Sequence, residues 1–134
     1  MSFIDDLAAA WQRNQSLVCV GLDPDVTRLR AIVALTESGL TAQLMSRSRS
    51  DIPIYAFTRH EATRRRVTLY RGVHAVPFDI SNDDPNKLYP AIFDRLLELG
   101  LVETGDQVLL TKGELSGVSG GTNSMQILRV TKRT

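Results

Sequence analysis

Apolar positions change rhythm several times along the chain, and each change predicts an element. Phe3, Ile4, Leu7, Ala8 and Trp11 recur at helical spacing, which predicts an amphipathic first helix. Ser2 is placed to cap it, and Asp5 falls in its positive first turn. Residues 17–20 (Leu-Val-Cys-Val) predict a short buried strand, ended at Pro24, which has no N–H and biases Asp23 away from helix. From Ala31 the rhythm alternates. Residues 31–35 form an apolar run without polar alternation, as expected of a strand covered on both faces. A helix opening at Ser38 and Gly39 places Leu40, Leu44 and Met45 on one side. Residues 52–57 are the next strand. Thr58 and Glu61 then have capping-box spacing, and Gly72 is placed to end the helix they start. A strand over 73–78 follows, then a helical stripe of Leu88, Ala91, Ile92, Leu96 and Leu99 closed by Gly100. Pro90 either lies near the first turn of that helix or kinks it. Residues 107–110 and 125–130 are the last two strands.

Alternating strands and helices imply parallel pairing with right-handed crossovers, hence an α/β sandwich. The connection between the last two strands is short and rich in Gly and Ser, so that pair is expected to be antiparallel. The whole of 1–134 is expected to be a single domain, in keeping with its length.

Charge and composition narrow the function classes. Sixteen basic and fifteen acidic side chains leave a formal charge of +1, without the clustered excess expected of a nucleic-acid binder. No apolar run reaches the roughly 18 residues of a membrane span. The first residues do not read as a secretory signal, and the single Cys19 suits a reducing compartment. A cytoplasmic protein, without nucleic-acid or membrane partners, is the expectation.

The sharpest chemical feature is Thr36-Glu-Ser-Gly-Leu-Thr41, at the carboxyl end of a buried strand, where open α/β sheets bind ligands. Gly39 allows close backbone approach, and Thr36, Ser38 and Thr41 add hydroxyl donors suited to phosphate or sulfate. Hydroxyl residues also open many helices for structural reasons, so both readings stand at this point. The loop containing Ser119, Gly120, Gly121 and Thr122 is a second candidate, either an anion nest or a flexible connection. Arg64, Arg65 and Arg66 point about 100° apart on a helix and are expected to form a solvated face. His60 is expected at the surface and His74 on a strand, neither at a metal-ligand spacing. Cys19 and Trp11 read as core residues, and no Ser/His/Asp arrangement, Walker loop or GxGxxG is present. No cofactor or metal is expected.

Residues 31–39, 53–57 (Pro-Ile-Tyr-Ala-Phe), 69–73 (Leu-Tyr-Arg-Gly-Val), 105–108 (Gly-Asp-Gln-Val) and 121–130 carry a resemblance. From about 30 to 130 the chain resembles the carboxyl-terminal, regulatory domain of bacterial pyruvate kinases. The resemblance implies a three-layer sandwich with a mostly parallel five-stranded sheet whose last strand is antiparallel. It also implies a homo-oligomer, dimer or tetramer, in which the last strand joins subunits, and a sugar-phosphate effector site. Carried over by position, one effector loop falls on Thr36, Ser38, Gly39 and Thr41, and the other on Ser119, Gly120, Gly121 and Thr122. Many bacterial relatives have an arginine where this chain has Leu40. A charge-assisted hydrogen bond contributes about 1.5–3 kcal/mol against about 1 for a neutral one. Its loss weakens an effector roughly tenfold unless another cation, such as Lys112, replaces it. The catalytic barrel of pyruvate kinase has no counterpart here, so no kinase activity is implied.

Residues 1–26, with Leu7-Ala-Ala-Ala-Trp11 and Ser16-Leu-Val-Cys-Val-Gly-Leu-Asp-Pro24, resemble the amino terminus of bacterial orotidine 5′-phosphate decarboxylases. The Asp-x-Lys-x-x-Asp motif of that family is absent, because the lysines are Lys87, Lys112 and Lys132 alone. Asp23 is then a turn residue. The two resemblances imply a chimera, engineered or selected: a decarboxylase-like segment over 1–29 joined to a regulatory-domain segment over 30–134. The borrowed helix is expected to cover an orphaned sheet face, and residues 17–20 to form an extra strand that either adds to a sheet edge or pairs with another chain.

Overall fold

The computed structural model describes residues 29–79, 84–113 and 121–132, and in addition Asp5, Ala9 and Gln12. Those three positions are helical and exposed, at spacings that put them on one face. The apolar residues of the expected first helix, the strand over 17–20, Cys19 and Asp23 lie outside the described residues.

Among the described residues five strands form one sheet in the order β3-β2-β1-β4-β5. They are β1 (Leu29–Leu35), β2 (Ile54–Thr58), β3 (Val73–Pro77), β4 (Gln107–Gly113) and β5 (Thr122–Arg129). Parallel pairing joins β1 to β2 and β4, and β2 to β3; β5 runs antiparallel to β4, as expected. Helices α1 (Leu40–Ser46), α2 (Glu61–Val67) and α3 (Pro85–Glu98) fill the crossovers. The mostly parallel α/β sandwich is therefore the architecture of the chain.

Two apolar layers flank the sheet. Ala31, Val33, Leu35, Phe57, Val108 and Leu110 meet Leu88, Ile92, Phe93 and Leu96 of α3 on one face. On the other, Ile32, Ile54, Ala56 and Val73 meet Ala42 of α1 and Val67 of α2. This partition explains the unbroken apolar run of β1: it is the central strand, and alternate side chains enter opposite layers.

Several boundaries depart from the sequence expectation. Thr58 does not cap α2; it is the fully buried last residue of β2, and its Oγ1 accepts from the His60 N–H at 3.2 Å. His60 is the N-cap, without a side-chain cap. Helix α2 stops at Val67 rather than before Gly72, and Gly72 serves the turn into β3 with φ of 70°. Helix α3 starts at Pro85, capped by Asp84, whose side chain accepts from the Asn86 N–H at 3.0 Å. Pro90 lies inside that helix, not in its first turn.

Candidate functional site

The chain direction reverses around β1. From β1 it moves outward through β2 to β3, and α3 then carries it back over the opposite face to β4, on the other side of β1. The crevice at the carboxyl ends of β1 and β4 is therefore the topological switch point, where doubly wound sheets bind ligands. Thr36, Ser38 and Gly39 sit there, between β1 and α1, and Thr41 is in the first turn of α1.

Local chemistry shapes this turn. Gly39 is the N-cap of α1 and has a left-handed φ of 84°. Thr36, buried, accepts the Gly39 N–H on Oγ1 at 2.8 Å, and Ser38 Oγ accepts the Leu40 N–H at 3.4 Å. A hydroxyl that accepts from the backbone still has its own proton to donate. Ser38 is only half-buried, so its proton has access to solvent or to a ligand. A Cβ at Gly39 would lie 2.7 Å from Val67 Cγ1, so α2 is seated directly against the turn. Helix α1 has seven residues, two turns, and its dipole is correspondingly short.

The second candidate loop comes to the first. Thr122 opens β5, and its Oγ1 lies 2.8 Å from Thr41 Oγ1, across 81 positions of sequence. Beside this pair is an open cleft of about 560 Å³ lined by Thr41, Met45, Thr111, Thr122, Asn123 and Ser124, among others. Gly121 packs near Gly113, where a side chain would meet the Gly121 carbonyl oxygen at 2.6 Å. Ser119 and Gly120 lie outside the described residues.

Charges gather on the α2 side of the turn. Glu37 pairs with the His60 ring, and Arg59 Nη2 lies 3.7 Å from the same carboxylate. Thr63 Oγ1 donates to the Glu37 carbonyl at 2.7 Å. Arg66 Nη1 donates to the Ser38 carbonyl at 3.4 Å. The three arginines do diverge, with Arg64 reaching the Arg59 carbonyl and Arg65 the Glu61 carboxylate. Arg66 is exposed, in keeping with a solvated face, and it also reaches the loop through that one bond.

Lys112, the expected substitute for a charge at position 40, lies away from the turn. It shares a sheet face with Val108 and Leu110, and its ammonium sits 5.6 Å from the ring centroid of Tyr89 on α3. Thr111, which lines the cleft, is on the other face. Alternation along β4 could have shown this, since 108, 110 and 112 share a parity. Leu40 itself is 45% exposed. His60 is at the surface and His74 on β3, as expected. Among the described residues no group of His, Cys, Asp or Glu is placed to hold a metal ion, and no helix is long and apolar enough to cross a membrane.

With this geometry in place, comparison with known proteins becomes informative. The family described as pyruvate kinase, alpha/beta domain, matches residues 25–128. The chain belongs to that family. Pyruvate kinase II of Salmonella typhimurium is similar to this alpha/beta domain, 41% identical over 100 residues, covering 75% of this chain and 21% of the relative. A pyruvate kinase of Buchnera aphidicola (subsp. Schizaphis graminum) is 39% identical over 103 residues, covering 77% of this chain and 21% of its own. A pyruvate kinase of Geobacillus stearothermophilus is 37% identical over 114 residues, covering 85% of this chain and 19% of its own. The chain thus spans about a fifth of the length of these relatives. The family match starts at residue 25, five positions before the boundary expected from the sequence, and leaves residues 1–24 outside it.

Proposed function

We propose that the chain is a non-catalytic module of the regulatory type that keeps a weak site for a phosphate-class anion: phosphate, sulfate or a sugar phosphate. The observation that carries the anion site is the meeting of Thr41 and Thr122 at 2.8 Å. It joins the first turn of α1 to the start of β5 at the switch point of the sheet, beside an open cleft. The hydroxyls of Thr36 and Ser38 add donors from the same turn. Leu40 brings no charge, which argues for weak rather than tight binding.

The non-catalytic reading is supported by the extent of the match: an alpha/beta domain, and about a fifth of the length of the pyruvate kinases it resembles. Phosphoryl transfer requires positioned cations and metal ions around the transferring group. We read the chain as a chimera, engineered or selected, in which a decarboxylase-like opening segment precedes the family's residues. Support for it is the sequence of residues 1–24, which stand outside the family match. We also propose a cytoplasmic homo-oligomer joined through β5, an eight-residue strand at the sheet edge with a half-exposed Met125.

Titration calorimetry with fructose 1,6-bisphosphate, glucose 6-phosphate and ribose 5-phosphate tests the anion site. Saturable heat that is lost in Thr36→Ala and Ser38→Ala is expected. Absence of heat with all three at millimolar concentration would leave a purely structural module. Equilibrium sedimentation tests the assembly, and a monomer at high micromolar concentration would refute it.

A further inference from the structure

We infer that the β4–β5 half of the sheet, on the face shared with α1 and α2, is the docking surface for the apolar side of the chain's own opening segment, residues 3–11. This stands apart from the anion-site reading. The apolar layer under α1 and α2 reaches Leu109 of β4 and takes no residue of β5. Register sets Ile127 opposite Leu109 and Met125 opposite Thr111, so both β5 side chains lie on that face. Met125 is half-exposed and Ile127 half-buried, and neither joins an apolar layer. The α3 face differs, because there β5 packs Leu128 into the core. Beyond Met45 at the rim, none of α1, α2 and α3 supplies an apolar side chain to the ground around Ile127 and Met125.

The occupant is argued from the helical positions at the start of the chain. Asp5, Ala9 and Gln12 are helical and exposed. At 100° per residue they share one side of a helix, and Phe3, Leu7 and Trp11 fall opposite it. The outward side is thus polar or small, and the side away from it carries an apolar stripe of the kind a helix lays on a sheet. Lengths agree. Positions 3 to 11 of a helix span about 12 Å, within the roughly 25 Å of the eight-residue β5. The opening segment leads into β1, whose Leu29 pairs with Gln107 of β4, beside the strands to be covered. Residues 13–28 can extend to about 50 Å, ample to bring a helix back over β4 and β5. The opposite sheet face is already taken by α3. Residues 1–24 stand outside the family match, so this docking is a property of the chain itself.

Trp11 is the single tryptophan and reports on this directly. In the full chain its emission is expected to lie blue of the urea-unfolded value and to be shielded from acrylamide. Ile127→Lys, and Met125→Lys at its half-exposed position, should each move that emission toward the unfolded value and restore quenching. Leu69→Lys, at an 84% exposed site in the turn after α2, should change neither. Circular dichroism shows that each variant folds. Proximity is read separately: in a Cys19→Ser chain, a nitroxide on Met125→Cys should quench Trp11, and one on Leu69→Cys should not. Parent emission equal to that of the unfolded chain would overturn the inference. So would a shielded Trp11 that neither β5 variant exposes and the Met125→Cys label does not quench. Quenching that grows with chain concentration would overturn it too, by seating a second copy on this face.

Discussion

Gly39→Ala tests how the turn at the switch point is built. Two penalties follow from its geometry. The backbone there has φ of 84°, a left-handed conformation that costs an L-residue with a Cβ roughly 1–2 kcal/mol. The added methyl would also lie 2.7 Å from Val67 Cγ1 and 3.4 Å from Thr63 Cγ2. Val67 is fully buried and unable to swing into solvent, so helix α2 must shift, an overpacking cost of about 1–3 kcal/mol. Together the substitution is expected to destabilise the fold by about 2–5 kcal/mol. Urea unfolding followed by circular dichroism measures this, with the midpoint falling at unchanged slope. The clash portion can be isolated: in a Val67→Ala background the methyl loses its nearest obstacle. Gly39→Ala should then cost at least about 1 kcal/mol less than in the parent. A loss under about 0.5 kcal/mol in the parent, or the same loss in both backgrounds, would refute the packing of α2 on the turn.

Other consequences reach different parts of the molecule. Thr41→Val and Thr122→Val should couple by about 0.5–1.5 kcal/mol in a double-mutant cycle of unfolding free energies, the net worth of one hydrogen bond; additive effects would separate the two loops. Burial pushes the Tyr55 phenol above its ordinary value of 10.0, so the folded state favours the neutral form. Its contribution to stability is complete below that value and is lost as pH rises through the higher folded one. Tyr55→Phe should therefore flatten the alkaline decline in melting temperature, and an unchanged decline would contradict this. Changing Phe3, Leu7 and Trp11 each to Asp is expected to lower the melting temperature, since each apolar side chain supplies on the order of 1.5–3 kcal/mol if buried. Ala9→Gln, at an exposed helical position, serves as the control and should change it little.

What could be read from the chain alone depended on how directly a residue's surroundings follow from its neighbours in sequence. Strand β1 was legible because its apolar run has one explanation, burial on both faces, and the structure places it at the centre of the sheet. The antiparallel β5 followed from a connection too short for a crossover. Its start at Thr122 was not legible, because Thr122, Asn123 and Ser124 are polar residues on an edge strand and carry no alternation. The spacing of Thr58 and Glu61 misled because a capping box needs Thr58 outside the sheet, whereas β2 keeps it as its last buried residue. The bond from Arg66 to the Ser38 carbonyl was not legible for a related reason. Helical geometry says that three consecutive arginines diverge, but not which of them a neighbouring turn will meet. That the first turn of α1 touches the start of β5 rests on tertiary structure, with Thr41 and Thr122 separated by 81 positions in sequence.

The account stands most directly on whether an anion occupies the turn between β1 and α1. Amide chemical shifts of the ¹⁵N-labelled chain, followed while inorganic phosphate is added at constant ionic strength, provide that measurement. Saturable movement of the Ser38, Gly39, Leu40, Thr41 and Thr122 signals with one shared dissociation constant is the predicted result. Signals that stay fixed there, or that drift linearly across the whole surface, would contradict it.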